Sequence, residues 1–117
     1  MNRVLPKDVV HAYRTTGLIP VRLVWTTKDE RGGCAIDALA ACRNVTTDEF
    51  RRTLEEGYEE GFLLAWDADD PQSRKITTKV NLETRVFYKR GYADGLLCRD
   101  AVEKAFTATG IVAITDV

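Results

Sequence analysis

One short pattern occurs twice in this chain, as Gly57-Tyr58-Glu59-Glu60-Gly61 and as Gly91-Tyr92-Ala93-Asp94-Gly95, each inside a stretch with helical spacing of apolar residues. A glycine in a helix interior costs about 1 kcal/mol relative to alanine, so four cost roughly 4 kcal/mol, a large share of a small domain's stability. Something must offset that cost. Glycines four residues apart share one helix face, and a face without side chains lets a second backbone come close. The repeat therefore predicts two long helices packed through GxxxG motifs, with Gly57, Tyr58, Gly61, Gly91, Tyr92 and Gly95 as the packing set. Only about a dozen residues are shared and the flanks do not align, which argues against a solenoid.

At 117 residues the chain has room for one core, so residues 1–117 are expected to form a single domain. Its 44 % hydrophobic and 30 % charged residues are ordinary for a folded protein. No apolar run approaches the ~20 residues that span a bilayer, and Met1 to Asp8 lead into no secretory apolar stretch. A cytoplasmic protein without membrane contact is the expectation. Cys34, Cys42 and Cys98 leave an odd thiol however they pair, and all three are expected to be reduced.

The net charge is −1, but the charges are unevenly placed. Residues 48–70 carry nine acids against Arg51 and Arg52, while residues 74–90 carry six bases against Glu83. Adjacent segments of opposite sign suit a helical hairpin. The alternative is a weak anion or nucleic-acid site on residues 74–90. Nucleic acid is disfavoured, because the chain is not basic overall and shows no recognised binding motif.

Pro6 and Gly17 bracket a first helix over 6–16. Val21, Leu23 and Trp25 alternate with their neighbours as a partly buried strand over 21–26, followed by a polar turn over 28–33. Ala35, Ala38, Leu39 and Cys42 share the face of a compact helix over about 34–43. Thr46 with Glu49 forms a capping box, and the apolar stripe from Phe50 to Ala65 predicts one helix over about 47–66. After Asp69-Asp70-Pro71, residues 76–80 suggest a short strand, and the stripe from Tyr88 to Phe106 predicts the second long helix, ending near Gly110. Residues 111–115 have strand composition and could pair with 21–26. The expected fold is a helix-dominated α+β domain of three or four helices and two or three short strands.

Gly33-Cys34-Ala35-Ile36 with Ala38-Leu39-Ala40, then Tyr58-x-x-Gly61-Phe62 running to Trp66-Asp67, then Tyr92-x-x-Gly95, resembles a loose group of small uncharacterised bacterial proteins. Ala35 and Asp37 stand where that group carries proline and glycine. The resemblance spans roughly residues 8–105 and implies a cysteine-led helix, a Tyr-x-x-Gly-Phe helix and a closing Tyr-x-x-Gly helix. It implies no activity.

Cys34 opens a helix after two glycines, where unpaired amides and the helix dipole can stabilise a thiolate. The only histidine, His11, would have to serve as its base, and nothing in the sequence places it nearby. The spacing Cys34 to Cys42 is too long for structural zinc. Counted from Asp67, Gln72 and Thr78 stand where a calcium loop needs glycine and glutamate, so Asp67, Asp69 and Asp70 read as a solvated turn. Glu60 and Asp94, each preceding the second glycine of a repeat, could face one another as an acid–base pair if the helices cross there. No phosphate loop or nucleophile elbow is present in the sequence, and neither cofactor nor metal is expected. The expected role is that of a non-enzymatic interaction or accessory module with an unidentified protein partner or a second copy of itself. The alternative is a cysteine-dependent enzyme using Cys34 with His11 or an acid.

Overall fold

The computed structural model describes residues 3–68, 85–108 and 110–114. Helix α1 (Pro6–Thr16) starts on a proline whose missing N–H costs nothing there, carries Asp8 in its first turn and Arg14 in its last, and stops at Gly17. Gly17 adopts φ 73°, which places its N–H 2.9 Å from the Tyr13 carbonyl and closes the helix. The buried stripe of α1 is Val9, Ala12 and Tyr13.

Three very short strands form a parallel sheet in the order β2-β1-β3: β1 (Ile19–Arg22), β2 (Gly32–Gly33) and β3 (Val112–Ala113). Ile19 aligns with Gly32 and Pro20 with Gly33 on one side, and Val21 with Val112 and Arg22 with Ala113 on the other. The strand expected over 21–26 is thus shifted. It begins at Ile19 and is ended by Leu23, whose φ of 78° turns the chain out of line. The end of the expected turn over 28–33 is itself a strand, because Gly32 must lie against β1. A Cβ there would sit 2.9 Å from Val21 Cγ1 and 3.1 Å from the Ile19 carbonyl oxygen.

Helix α2 (Ala35–Cys42) buries Ala35, Ile36, Ala38, Leu39 and Ala40. The single helix expected over 47–66 is two helices, α3 (Thr47–Arg51) and α4 (Tyr58–Asp67). Thr46 caps α3, its hydroxyl accepting from the Glu49 amide at 3.1 Å. Gly57 lies outside both helices. It precedes α4 with φ 89°, a conformation that interrupts any continuous helix and suits glycine. Helix α5 (Arg85–Ala105) runs 21 residues. The strand expected at 76–80, Asp69, Asp70 and the basic residues 74–84 lie outside the described residues.

α4 and α5 make the most extensive contact between elements in the described fold. A Cβ on Gly61 would overlap the Tyr88 carbonyl oxygen and come within 2.9 Å of the Tyr92 nitrogen; one on Gly91 would overlap the Tyr58 carbonyl; one on Gly95 would crowd the Phe62 backbone and stand 2.9 Å from the Ala65 Cβ. Tyr58, Phe62 and Trp66 project from α4 in a stack with centroid spacings of 6.5 and 6.3 Å, and Tyr13 of α1 continues the stack onto Trp66 at 6.3 Å. Phe106 meets Tyr13 edge-on at 6.0 Å. Trp66 also donates its indole N–H to the Val21 carbonyl at 2.8 Å, tying the core to the sheet.

The C-terminal end of α4 is held by Arg99. Its Nη1 donates to the carbonyls of Ala65, Trp66 and Ala68, and its Nε to Glu103 Oε1 at 3.1 Å. A cation there satisfies orphaned carbonyls and matches the negative end of the helix dipole.

Candidate functional site

Three polar arrangements stand out. The first is buried where α4 and α5 cross. Asp94 is 2 % exposed and accepts from Arg3 through Nε at 3.0 Å and Nη2 at 2.6 Å, and from the Tyr58 hydroxyl at 2.5 Å. Tyr58 in turn accepts from the Val4 amide at 2.8 Å, and the Cys98 thiol lies 3.5 Å from the Val4 carbonyl. Burial first, and then the hydrogen bond to Asp94, push the Tyr58 hydroxyl pKa up, so it stays a donor. Every buried side-chain nitrogen and oxygen of this cluster has a partner, and the cluster's effect is to strap Arg3 and Val4 across the two helices. Glu60, expected to face Asp94, is exposed, while Glu59 pairs with Arg51 at 2.6 Å. The two-carboxylate arrangement does not form, because Asp94 turns inward to Arg3.

Cys34 forms the second. It immediately precedes α2, and its amide donates to the Trp25 carbonyl at 2.9 Å. The thiol is buried, and burial pushes its pKa up to about 12 although the amides of Asp37 and Ile36 act in the opposite sense. The helix-terminus effect anticipated from the sequence is present, and desolvation outweighs it. His11 is exposed on α1, 3.3 Å from the Thr15 hydroxyl, and borders a hollow with Asp8, Leu39, Cys42 and Arg43. Among the described residues it is Cys42, not Cys34, that shares a hollow with His11. No disulfide joins the three cysteines, and no group of three or more metal-ligating side chains occurs among the described residues.

The third is a cleft between the segment following β1 and the outer face of α4. Its inner end is a hollow of about 120 Å³ bordered by Trp25, Cys34, Leu63 and Asp67. It continues into a wider hollow of about 460 Å³ bordered by Glu60, Leu64 and Tyr88, with Leu23, Leu63 and Asp67 lining both. At the rim, Leu23 is 44 % and Trp25 38 % exposed, and Trp25 is held under the Arg51 guanidinium, 4.9 Å from its ring centroid. Asp67 closes α4 and organises this region. Its Oδ1 accepts from the Leu23 amide at 2.9 Å, fixing the residue with positive φ, and its carbonyl accepts from Arg22 Nη1 at 2.8 Å. Burial raises the Asp67 pKa above the usual carboxylate range, partly countered by the Leu23 amide and then by Arg22 and Arg99.

Cys34, Gly61, Tyr58, Gly91, Tyr92 and Gly95 were legible as positions, but Leu23, Trp25, Leu63, Leu64 and Asp67 were not legible as a cleft. The only sequence signal for it was the aromatic-acid pair Trp66-Asp67 at the end of a helix, and that pair does not say which loop the acid holds.

Compared with known proteins, the chain matches no family profile, no curated protein and no solved structure. No helix among the described residues is long and apolar enough to cross a membrane.

Proposed function

We propose that this protein is a non-enzymatic interaction module whose ligand face is the cleft between Leu23–Trp25 and α4, and that the cleft receives a basic, partly apolar segment of a partner protein. One observation carries this: large apolar side chains are exposed at the rim of a hollow that also displays two carboxylates, Glu60 and Asp67. Exposed apolar groups around convergent polar ones mark binding surfaces. A desolvated carboxylate such as Asp67 gains most from an incoming cation, while the stem of a lysine or arginine would lie against Leu63, Leu64 and Tyr88. The unusual backbone at Leu23 fits the same reading, since such conformations persist where surrounding structure holds them for a purpose. In this view the glycine repeat serves packing inside one chain, leaving the outer face of α4 for the partner.

The cysteine-dependent alternative rests on Cys34 bordering the inner hollow together with Asp67. Against it stands a thiol that keeps its proton to about pH 12, far from the ionisation a nucleophile needs near neutrality.

The test uses a synthetic peptide alternating lysine and leucine, with a glutamate-for-lysine peptide as control, followed by amide chemical shifts and by titration calorimetry. Shifts confined to Leu23, Trp25, Leu63 and Leu64, with binding weakened about five- to tenfold by Glu60→Lys, are expected for a partly exposed ion pair worth ~1 kcal/mol. Equal binding of both peptides, or shifts scattered over the surface, would refute the proposal.

A further inference from the structure

Lysine and arginine hold a carboxylate in different ways. A guanidinium gains over an ammonium twice: its planar fork engages both oxygens of one carboxylate, and its flat face stacks on aromatic rings. An ammonium is a compact point charge that needs only one oxygen. Around Asp67 both advantages of the guanidinium are already taken. Oδ1 accepts from the Leu23 amide at 2.9 Å, and among the described residues no donor reaches Oδ2. Arg22 and Arg99 act on this carboxylate through their charge, but their described hydrogen bonds go elsewhere. Arg22 Nη1 donates to the Asp67 main-chain carbonyl at 2.8 Å, and Arg99 to the carbonyls that end α4 and to Glu103. Trp25, the ring at the inner hollow, already carries the Arg51 guanidinium 4.9 Å from its centroid, and Arg51 is itself held by Glu59 at 2.6 Å. Tyr88, the ring on the outer hollow, is only 6 % exposed.

We infer that Asp67 makes the cleft selective for a lysine side chain over an arginine, a selectivity that rests on the cleft being the ligand face. The ammonium donates to Asp67 Oδ2 while its unbranched stem lies along Leu63 and Leu64. A guanidinium in the same place would leave more N–H groups without acceptors beside a hollow of about 120 Å³ than an ammonium does, and unmatched donors out of water are costly. Glu60 adds attraction without discrimination: it is exposed, so water screens it and its gain is small for either cation.

Titration calorimetry with peptides of one sequence tests this: the alternating lysine and leucine peptide, its arginine and trimethyl-lysine counterparts, and the glutamate control. The lysine peptide should bind about fivefold more tightly than the arginine one. The trimethyl-lysine peptide keeps the charge but has no N–H, and should bind no better than the arginine peptide. Asp67→Asn keeps an oxygen for the Leu23 amide and removes the charge; with the Leu23 amide shift retained, it should bring lysine and arginine peptides to one affinity, whereas Glu60→Gln should weaken both alike. Should Asp67→Asn not fold, the ranking of the peptides on the wild-type chain decides. An arginine or trimethyl-lysine peptide that binds as tightly as the lysine peptide, or a preference that survives Asp67→Asn, would overturn the selectivity and leave the cleft as the ligand face. Binding of none of the cationic peptides, or shifts away from Leu23, Trp25, Leu63 and Leu64, would overturn the cleft itself and the selectivity with it.

Discussion

The crossing of α4 and α5 and the three-stranded sheet both bring distant parts of the chain together, but with opposite tolerances. At the crossing, backbone rests on backbone: the groups facing Gly61 and Gly91 are carbonyl oxygens, which cannot rotate aside. Beside it, Asp94, Tyr58, Arg3 and the Val4 amide are hydrogen-bonded to one another. The sheet, in contrast, has two strands of only two residues and keeps Ile19 and Val112 partly in solvent. Where packing is closed, the molecule has spent its surface on itself. Where it is open, surface is left for other molecules, and the proposed cleft adjoins β1 for that reason.

The contrast can be broken most sharply at the crossing. Gly61→Leu should cost about 3 kcal/mol or more, read by urea denaturation, since the added side chain has only main chain to displace. Unchanged melting with altered self-association would instead assign the glycines to an interface between copies. Tyr58→Phe comes next, at about 2 kcal/mol, because it leaves the Val4 amide without an acceptor and removes one of the three hydrogen bonds to the buried Asp94. A loss under half that size would mean that water or a shifted Arg3 replaces the hydroxyl.

Alkaline pH probes the closed region in another way. In the unfolded chain a thiol ionises near pH 8.5, whereas the folded chain keeps Cys34 protonated to about 12. The unfolded state therefore sheds its proton first. The stabilisation is complete below pH 8.5 and falls as pH climbs towards 12, by about 1.4 kcal/mol per unit for this one thiol. Cys34→Ala should flatten that slope, and iodoacetamide at pH 8 should leave Cys34 unmodified until the protein unfolds. The smallest effect belongs to the sheet: Val112→Ser should change stability by no more than ~0.5 kcal/mol, read by the same urea denaturation. A larger destabilisation would show that Val112 is core in solution.

Periodicity made the helices legible wherever the signal was local. Pro6 and Gly17 bracket α1, Thr46 caps α3, and the stripe from Tyr88 onward follows α5. It failed at Gly57, because a glycine on an apolar stripe reads the same whether it continues a helix or begins one with positive φ. Gly32 and Gly33 read as a turn for a similar reason: a glycine pair carries no alternation to mark it as a strand, and only the side chain of Val21 and the Ile19 carbonyl, seen in three dimensions, explain it. The part-buried salt bridge from Arg3 to Asp94 joins residues 91 apart, beyond any local pattern. The cleft was hidden likewise, since Leu23 and Asp67 are 44 apart and meet through a backbone amide, a group with no sequence signature.

The middle position of β1 in the sheet affects the order in which the molecule can be made. β1 leaves the ribosome well before its neighbour β3, with all four later helices between them. Until then Val21 and Arg22 have no strand beside them on that side, and Arg3 waits just as long for Asp94. Both late contacts depend on α5, so a nascent chain carrying α1 to α4 holds its aromatic stack with one wall missing and an open strand edge beside it. Translation pauses in the α5 region would prolong that state, in which wrong pairing between neighbouring nascent chains is easiest.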